Sequence, residues 1–239
     1  MISVCVATYN GEKYIKEQIE SIICQLSPED EIVVSDDGST DGTIAIIQSF
    51  KDDRIKIVQG PCKSKPALNF ENALIHTKGD YIFLADQDDV WEQNKVEVMM
   101  NELKTNDLVL SDCSIVDKDL NTICPSYFSM LPPKTGVINN IIKNHYLGCC
   151  LAFRRNVLQV AIPFPKNVIM HDIWIGLCAD IYYRTAIISQ PLMKYRRHGN
   201  NESSASGKSN LPIWFRIEYR VRTLFQIILR CLKQNRLQL

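Results

Sequence analysis

The sequence lacks an excess of either charge, since 27 Lys and Arg residues balance 27 Asp and Glu residues. A nucleic-acid partner is therefore not expected, because proteins that bind nucleic acids usually carry a basic surface. The sequence also lacks an apolar run of the roughly 20 residues that span a bilayer, and no basic segment precedes the first apolar stretch, residues 2–6. We therefore expect neither a spanning helix nor a cleaved secretory signal.

Paired cysteine motifs are also missing. The nine cysteines are odd in number, and none of them belongs to a C-x-x-C pair. Several lie inside apolar runs, where a free thiol behaves as a small hydrophobic side chain. The pattern predicts a reduced, cytoplasmic protein without a zinc site.

Three common ligand-binding loops are absent as well. No G-x-G-x-x-G fingerprint occurs, and the Gly-Lys-Ser at 207–209 lacks the first glycine of a P-loop. The loop that begins at Asp37 has the early spacing of an EF-hand, but its twelfth position is Gln48 instead of Glu. A Ca²⁺ loop of that kind is therefore excluded.

Strand and helix patterns alternate over residues 2–111. Strands separated by helices predict an α/β fold with a mostly parallel sheet flanked by helices. Ligands of such sheets bind beyond the carboxyl ends of the strands. The predicted strands are 2–7, 31–35, 54–58, 80–85 and 108–111, and the predicted helices are 12–26, 41–50, 67–77 and 91–103.

The pattern beyond residue 112 is less regular. It predicts a hairpin, two helices and a short strand, at 115–123, 137–144, 170–180 and 186–188. Residues 199–210 are rich in Ser, Gly and Asn and predict a mobile loop. Residues 211–239 predict a basic amphipathic helix or a pair of helices.

Acidic clusters follow two of the predicted strands. Asp36 and Asp37 come after the second strand, and Asp86, Asp88 and Asp89 come after the fourth. Asp86 and Asp88 are two positions apart, so that in an extended chain they project to the same side. Two converging carboxylates suit a hard divalent cation, and a polar turn that caps the next helix is the alternative interpretation.

Three segments together resemble the family 2 glycosyltransferases with the GT-A fold. They are ATYNG at 7–11, SDDGSTD at 35–41 and LADQDDVW at 84–91. The chain is also similar, at 170–174 and 195–201, to bacterial rhamnosyltransferase-like enzymes of surface polysaccharide assembly. The resemblance implies a GT-A catalytic domain at 1–200, with a nucleotide-sugar half at 1–112 and an acceptor half at 113–200, followed by a loop and helical tail at 201–239.

The resemblance also implies which residues bind the donor. Tyr9, with the backbone of Ala7 and Thr8, would hold the nucleotide base, and Asp37 would hydrogen-bond to the edge of that base. A core position is the alternative for Tyr9.

Residues of the third motif would complete the donor site. Asp86 would contact the ribose or the sugar, with Gln87 beside it, and Asp88 would bind Mg²⁺ or Mn²⁺ on the diphosphate. His198 matches a histidine that helps to hold the metal or the diphosphate, although membership of a solvated basic patch is its alternative.

The same resemblance assigns the acceptor side. Asp172 matches the catalytic carboxylate, which would take a proton from the acceptor hydroxyl, and Gly148, His171 and Trp174 would lie beside the acceptor. Two alternatives stay open, namely that Asp172 only caps its helix and that His171 is the base.

Two departures from the family pattern are visible. The Ala-Arg-Asn motif of many members is replaced by Ala67-Leu68-Asn69, so that its cation is absent, and Lys63, Lys65 or Arg197 could compensate. The Gln-x-x-Arg-Trp motif of processive synthases is missing, so that such a synthase is not expected.

These patterns predict an inverting, metal-dependent glycosyltransferase. Its donor would be a UDP- or dTDP-sugar, and its acceptor a lipid-linked glycan at the inner face of the plasma membrane. The basic tail could lie on that membrane, or it could pack on the catalytic domain or on a second copy. A nucleotidyltransferase is the alternative enzyme, but the segment after the first strand offers only Gly11 and Lys13. A non-catalytic nucleotide-sugar-binding protein is the other alternative.

Overall fold

The computed structural model describes residues 1–166, 168, 170–199 and 213–237. Within these residues the strands join in one sheet of nine strands. The strands are β1 Ile2–Thr8, β2 Glu31–Asp36, β3 Ile55–Gln59, β4 Tyr81–Asp86, β5 Val90–Trp91, β6 Leu108–Val116, β7 Thr122–Cys124, β8 Leu151–Arg154 and β9 Thr185–Arg196.

Helices pack on this sheet, and a 3₁₀ turn at Gly148–Cys150 precedes β8. The helices are α1 Ile15–Ile23, α2 Thr43–Ser49, α3 Pro66–His76, α4 Lys95–Glu102, α5 Tyr127–Met130, α6 Val137–Ile142, α7 Asn156–Ala161, α8 His171–Tyr182 and α9 Ile213–Leu237.

The first four strands form the parallel part of the sheet, in the order β3-β2-β1-β4. β1 and β2 are nearly continuous buried runs, as expected for strands that are covered on both faces. The helices α1, α2 and α3 connect these strands. The predicted α/β fold is confirmed.

Beyond β4 the sheet is mixed. β8 inserts between β4 and β6 and pairs antiparallel with both, β7 pairs antiparallel with β6, and β9 pairs parallel with β6. The hairpin of β6 and β7 was predicted, and its short connection permits only antiparallel pairing. The parallel sheet predicted from the helix–strand alternation therefore describes β1–β4, whereas the later strands follow less regular connections.

The predicted helix at 91–103 begins later in the structure. Trp91 pairs with Met193 as part of β5, and α4 starts at Lys95. The Trp91 ring is 3% exposed and lies 5.7 Å from the Phe83 ring. Burial of this large aromatic ring against the sheet overrides the helical spacing of its segment.

The tail contains one long helix, α9. Its inner face includes Thr223 and Ile227, which are 5% and 4% exposed, and Arg230, which donates to the Val160 carbonyl oxygen at 2.6 Å. Over the described part of the chain, no helix is long and apolar enough to cross a bilayer. The mobile loop predicted at 199–210 falls almost entirely outside the described residues.

Candidate active site

Three neighbouring parallel strands end together at one edge of the sheet. In their register, Ala7 of β1 lies opposite Asp86 of β4, and Thr8 lies opposite Asp36 of β2. The next residue, Tyr9, leaves the sheet with 48% of its surface exposed, so it is not a core aromatic. An exposed aromatic ring beside strand-end carboxylates is available to stack on a planar ligand.

Gln87 holds the segment that carries Tyr9. Its Oε1 accepts hydrogen bonds from Thr8 Oγ1 at 2.7 Å and from Tyr9 N at 2.9 Å, and its Nε2 donates to the Tyr9 carbonyl oxygen at 3.1 Å. Both ends of the carboxamide are therefore engaged by the protein itself. The structure makes Gln87 a positioning residue for Tyr9, and its contact with a donor stays a prediction.

The acidic pair after β2 stabilises two loops. Asp36 Oδ2 accepts from Gly38 N at 3.2 Å, in a turn where Gly38 has a φ of +93°, a conformation that favours glycine. The Asp37 carboxylate is 6% exposed and accepts from Lys63 N at 3.3 Å and Ser64 N at 2.7 Å. Asp37 thus fixes the loop before α3, and its bond to a nucleotide base stays a prediction.

The acidic residues after β4 concentrate negative charge. Burial, followed by the charges of Asp88 and Asp172, raises the pKa of Asp86 to about 7. Asp89 is fully buried, and burial followed by the charges of Asp88 and Asp86 raises its pKa well above the usual range. One oxygen each of Asp86 and Asp89 and the Cys149 sulfur lie within 4.8 Å of one another. Mutual repulsion of this kind is relieved by a bound cation.

The end of β9 brings a histidine to this charge. His198 Nε2 lies 2.7 Å from Asp88 Oδ2, and its ring stacks on Tyr14 with 4.6 Å between centroids. The guanidinium of Arg196 lies 4.7 Å from the same Tyr14 ring, and its backbone N donates to Asp89 Oδ1 at 3.0 Å. Asp88 and His198, which are 110 positions apart, are therefore brought together.

Asp172 faces the same centre from the first turn of α8. It is 6% exposed, and burial raises its pKa to about 6, although hydrogen bonds from Ile173 N and the Asn144 side chain favour the carboxylate. Its charge in turn raises the pKa of Asp86, which indicates that the two carboxylates lie near each other. Met170 holds the N-cap position of α8, so Asp172 is not the cap. A carboxyl group with this pKa is mostly ionised at neutral pH and can accept a proton.

His171 is less suited to be the base. Burial lowers its pKa to about 3, and its ring stacks on Phe70 with centroids 4.0 Å apart. Within the described chain, its buried Nε2 has no hydrogen-bond partner. A Cβ on Gly148 would lie 2.5 Å from this nitrogen, so glycine leaves room for the ring. Contact of Gly148 and His171 with an acceptor stays a prediction.

Trp174, which the sequence assigned to the acceptor side, is a core residue. It is 1% exposed, its Nε1 donates to the Ala161 carbonyl oxygen at 2.8 Å, and the guanidinium of Arg230 lies 5.2 Å from its ring. A side chain enclosed in this way does not contact an acceptor. The assignment is wrong because two steps along a helix rotate a side chain by about 200°, away from Asp172.

Comparison with known proteins now identifies the chain. The family model described as "Glycosyl transferase family 2" matches residues 3–160, which is more than half of the chain. The chain belongs to glycosyl transferase family 2. It is accordingly a glycosyltransferase.

Curated relatives of this family 2 transferase act on activated sugars. The Escherichia coli UDP-Glc:alpha-D-GlcNAc-diphosphoundecaprenol beta-1,3-glucosyltransferase WfgD is 27% identical over 90% of this chain and 84% of its own length. The Shigella flexneri dTDP-rhamnosyl transferase RfbG is 28% identical over 84% of this chain and 74% of its own length.

Solved structures show the same GT-A fold. S. aureus TarS in complex with UDP-GlcNAc is 22% identical, with a TM-score of 0.68 over 93% of this chain and 71% of that chain. The Pyrobaculum calidifontis mannosyltransferase PcManGT, in complex with GDP-Man and Mn²⁺, is 22% identical, with a TM-score of 0.63 over 84% of this chain and 58% of that chain. At these identities the likeness concerns the fold alone.

The residues of this family 2 transferase fit a divalent cation. Asp86, Asp88 and His198 offer the oxygen and nitrogen ligands that Mn²⁺ binds, and Mg²⁺ prefers the two carboxylates. The buried Oδ2 of Asp89 has no hydrogen-bond partner among the described residues. Carboxylates that raise one another's pKa, as Asp88 raises that of Asp86, are the chemistry of a cation site.

The departure at Ala67-Leu68-Asn69 has a structural counterpart. Asn69 is 3% exposed, accepts from Ser35 Oγ at 2.6 Å and donates to the Thr8 carbonyl oxygen at 3.2 Å. It thereby ties α3 to the ends of β1 and β2. Among the candidate replacements for the missing cation, Lys63 belongs to the loop that bonds to Asp37 through its backbone N.

Sequence reasoning missed several residues that build the site. Gln18 donates to the Asp86 carbonyl oxygen at 2.8 Å, Asn144 supports Asp172, and Arg196 joins β9 to Asp89 and Tyr14. Tyr14 has the spacing of a core-facing residue in the predicted helix 12–26. Only the structure shows that its ring stacks on His198. The aromatic and basic residues at 195–198 were a visible signal for this cluster.

Proposed function

We propose that the chain transfers a sugar from a UDP- or dTDP-sugar to a hydroxyl of a lipid-linked glycan, in a metal-dependent reaction that inverts the anomeric carbon. The observation that carries this proposal is the cluster at the end of β4, where an oxygen of Asp86 and one of Asp89 lie within 4.8 Å of each other and His198 Nε2 lies 2.7 Å from Asp88 Oδ2. This is a cation site of the kind that holds a sugar diphosphate, and Asp172, whose charge raises the pKa of Asp86, would be the proton acceptor beside it.

The donor would lie across the ends of β1, β2 and β4. Its base would stack on Tyr9, and its edge would face Asp37 where the backbone of residues 63 and 64 approaches. The presence of UDP-GlcNAc in TarS and the dTDP-rhamnosyl activity named for RfbG support both nucleotide classes.

Asp86, Asp88 and His198 would hold Mg²⁺ or Mn²⁺ against the diphosphate. When bound, such a cation stabilises the negative charge of the leaving diphosphate. The stacking of His198 on Tyr14 and the bond from Arg196 N to Asp89 hold these ligands in place before any donor binds. The Mn²⁺ found in PcManGT supports the same assignment.

Asp172 would act as the base. Its carboxylate takes the proton of the acceptor hydroxyl while the hydroxyl oxygen forms a bond to the anomeric carbon. The bond from that carbon to the diphosphate oxygen breaks, and the nucleoside diphosphate leaves with the electron pair. A single displacement from the opposite face inverts the anomeric carbon, through a transition state with oxocarbenium character. The Asn144 side chain would keep Asp172 oriented.

A lipid-linked acceptor is supported by WfgD, whose name specifies a diphosphoundecaprenol-linked sugar. The same relative supports a role of this chain in polysaccharide assembly. Gly148 lies against the His171 ring, next to Asp172 in the chain, and both residues would contact this acceptor.

The first test is thermal stabilisation by nucleotide sugars, with Mn²⁺ or Mg²⁺ and then with EDTA. A donor at 100 times its Kd should stabilise the protein by about 2.7 kcal/mol. We expect one donor to act only with metal, and Asp88→Ala to abolish the effect. Asp53→Asn, an exposed carboxylate outside the site, is the matched control. Absence of stabilisation by every donor would contradict the proposal.

The second test separates catalysis from binding alone. Asp172→Asn should keep metal-dependent donor binding and lose sugar transfer. A non-catalytic binding protein would instead show no transfer either before or after the substitution. Product analysis should find a nucleoside diphosphate. Release of inorganic diphosphate would instead indicate a nucleotidyltransferase.

A further inference from the structure

The outer face of α9 is apolar and exposed. Positions 214, 217, 221, 225, 228 and 232 follow one another at helical spacing, so that at about 3.6 residues per turn they share one stripe. The inner face, by contrast, is buried on the protein at Thr223 and Ile227. The exposed stripe comprises Trp214, Ile217, Val221, Leu224, Phe225, Ile228, Leu229 and Leu232, which are 41% to 64% exposed.

A second helix extends this surface. α6 packs beside α9, and its Ile138 and Ile142 are 76% and 62% exposed. Lys134 and Lys143 flank α6 and are exposed. We call the exposed apolar residues of α6 and α9 the docking face. Exposed apolar surface of this extent marks an interaction site.

The charge of α9 decides between two occupants. Residues 213–237 contain six Lys or Arg residues and one Glu, a net charge of +5. Because the whole chain has a net charge of zero, the remaining residues carry −5. At helical spacing, Lys233 borders the apolar stripe on one side and Arg220 borders it on the other. Arg222 lies on the same side as Lys233 and pairs with Glu218 within the helix. A second copy would bring two positively charged helices together, and these repel each other. An anionic lipid surface instead supplies the opposite charge.

The docking face adjoins the candidate base. Both α6 and α9 pack against α8, whose first turn carries Asp172. On α9, the charge of Asp172 contributes, after burial, to the raised pKa of Tyr219. Both helices of the docking face therefore lead directly to the acceptor side of the site.

We propose that α6 and α9 dock the enzyme on the surface of a bilayer that contains anionic phospholipids, with α9 lying in the plane of the interface. The apolar stripe enters the headgroup region, and the flanking Lys and Arg side chains contact lipid phosphates. Docking in this orientation turns the side of Asp172 toward the membrane. That last consequence rests on the proposed lipid-linked acceptor, but binding to the bilayer does not.

The experiment is co-sedimentation of the full chain with vesicles of phosphatidylcholine alone or mixed with phosphatidylglycerol. We expect binding to the mixed vesicles, weakened by added salt. Phe225→Asp and Ile138→Asp should each lower the partition coefficient by about tenfold or more. In each variant, an apolar side chain that would enter the headgroup region is replaced by a charge that anionic lipid repels. The matched control is Ile75→Asp, which changes an isoleucine of α3 that is 60% exposed and should not change binding.

Three outcomes would overturn the proposal. The first is equal partition of Phe225→Asp and the unchanged protein, and the second is no binding to either vesicle. The third is a stable dimer by light scattering that Phe225→Asp dissociates, because the face would then be an interface between copies. Thermal unfolding of each variant checks that it folds. Donor binding measured on the same samples separates failure of docking from failure of the proposed activity.

Discussion

The two sides of the candidate site are built in different ways. The donor side lies at the ends of β1, β2 and β4, which are adjacent parallel strands within the first 86 residues. The acceptor side is assembled from the first turn of α8, the 3₁₀ turn before β8 and the segment after α6. The donor side follows from strand ends that any parallel sheet aligns, whereas the acceptor side depends on contacts between distant segments.

Arg196 shows how β9 is joined to the donor side. Its side chain is 4% exposed and pairs with Glu17, 179 positions away, while its backbone N bonds to Asp89, 107 positions away. The same guanidinium lies over Tyr14, whose ring stacks on His198. Substitutions on the donor side should therefore change donor binding. Substitutions on the acceptor side should change turnover, and those at this junction should change stability.

The largest expected effect is the loss of turnover in Asp172→Asn, by about 10²–10⁴-fold, the usual contribution of a general base. In the unchanged enzyme, kcat/KM should rise with pH through about 6, the pKa of Asp172, because only the ionised carboxylate accepts a proton. Donor Kd should not change. A variant that keeps transfer would show that Asp172 is not the base.

The same substitution should raise stability. Burial raises the pKa of Asp172 from 3.8 to about 6, so the folded state holds the proton more tightly than the unfolded state. This stabilisation is full below about pH 4 and is lost as pH rises through about 6. At neutral pH, Asp172→Asn should increase the free energy of unfolding by up to about 3 kcal/mol. Urea unfolding with EDTA at about pH 4 and at neutral pH checks this. If the variant and the unchanged protein differ in free energy of unfolding by the same amount at the two pH values, the prediction is contradicted.

Arg196→Met should destabilise the junction. The change removes the ion pair with Glu17 and the contact with the Tyr14 ring, and we expect a loss of about 2 kcal/mol. Arg222→Met removes an exposed ion pair within α9 and should cost about 0.5 kcal/mol or less. Urea unfolding of both variants compares them. Equal losses would mean that the buried position of Arg196 adds nothing to the stability that its ion pair provides.

The smallest expected effect is on the donor side. Gln87→Leu removes the hydrogen bonds that hold Tyr9 and should raise the Kd of the nucleotide sugar by about five- to tenfold. Turnover at saturating donor should change little. Gln93→Leu, at an exposed position outside the site, is the control. Calorimetric titration measures both, and an unchanged Kd would argue that Tyr9 does not hold the base.

Much of the donor side was predictable because its motifs are local. Asp86 and Asp88 share a strand end, and Tyr9 follows another strand, so that the sheet alone aligns them. Trp91 was assigned to a helix because its pairing with Met193 depends on β9. Trp174 was misassigned because neighbouring motif residues on a helix can point in opposite directions. The pairing of Arg196 with Asp89 and with Glu17 was not predicted, since these residues are 107 and 179 positions apart.

The order of the strands has a consequence for dividing the chain. One edge of β4 is covered by β1 and the other by β8, where Ile82 and Phe83 pair with Phe153 and Ala152. A fragment that stops near residue 112 would contain β4 without β8, and its backbone donors and acceptors would be open along a hydrophobic edge. Such an edge is a template for pairing between molecules. The nucleotide-sugar half, expressed alone, should therefore aggregate instead of behaving as an independent binding domain.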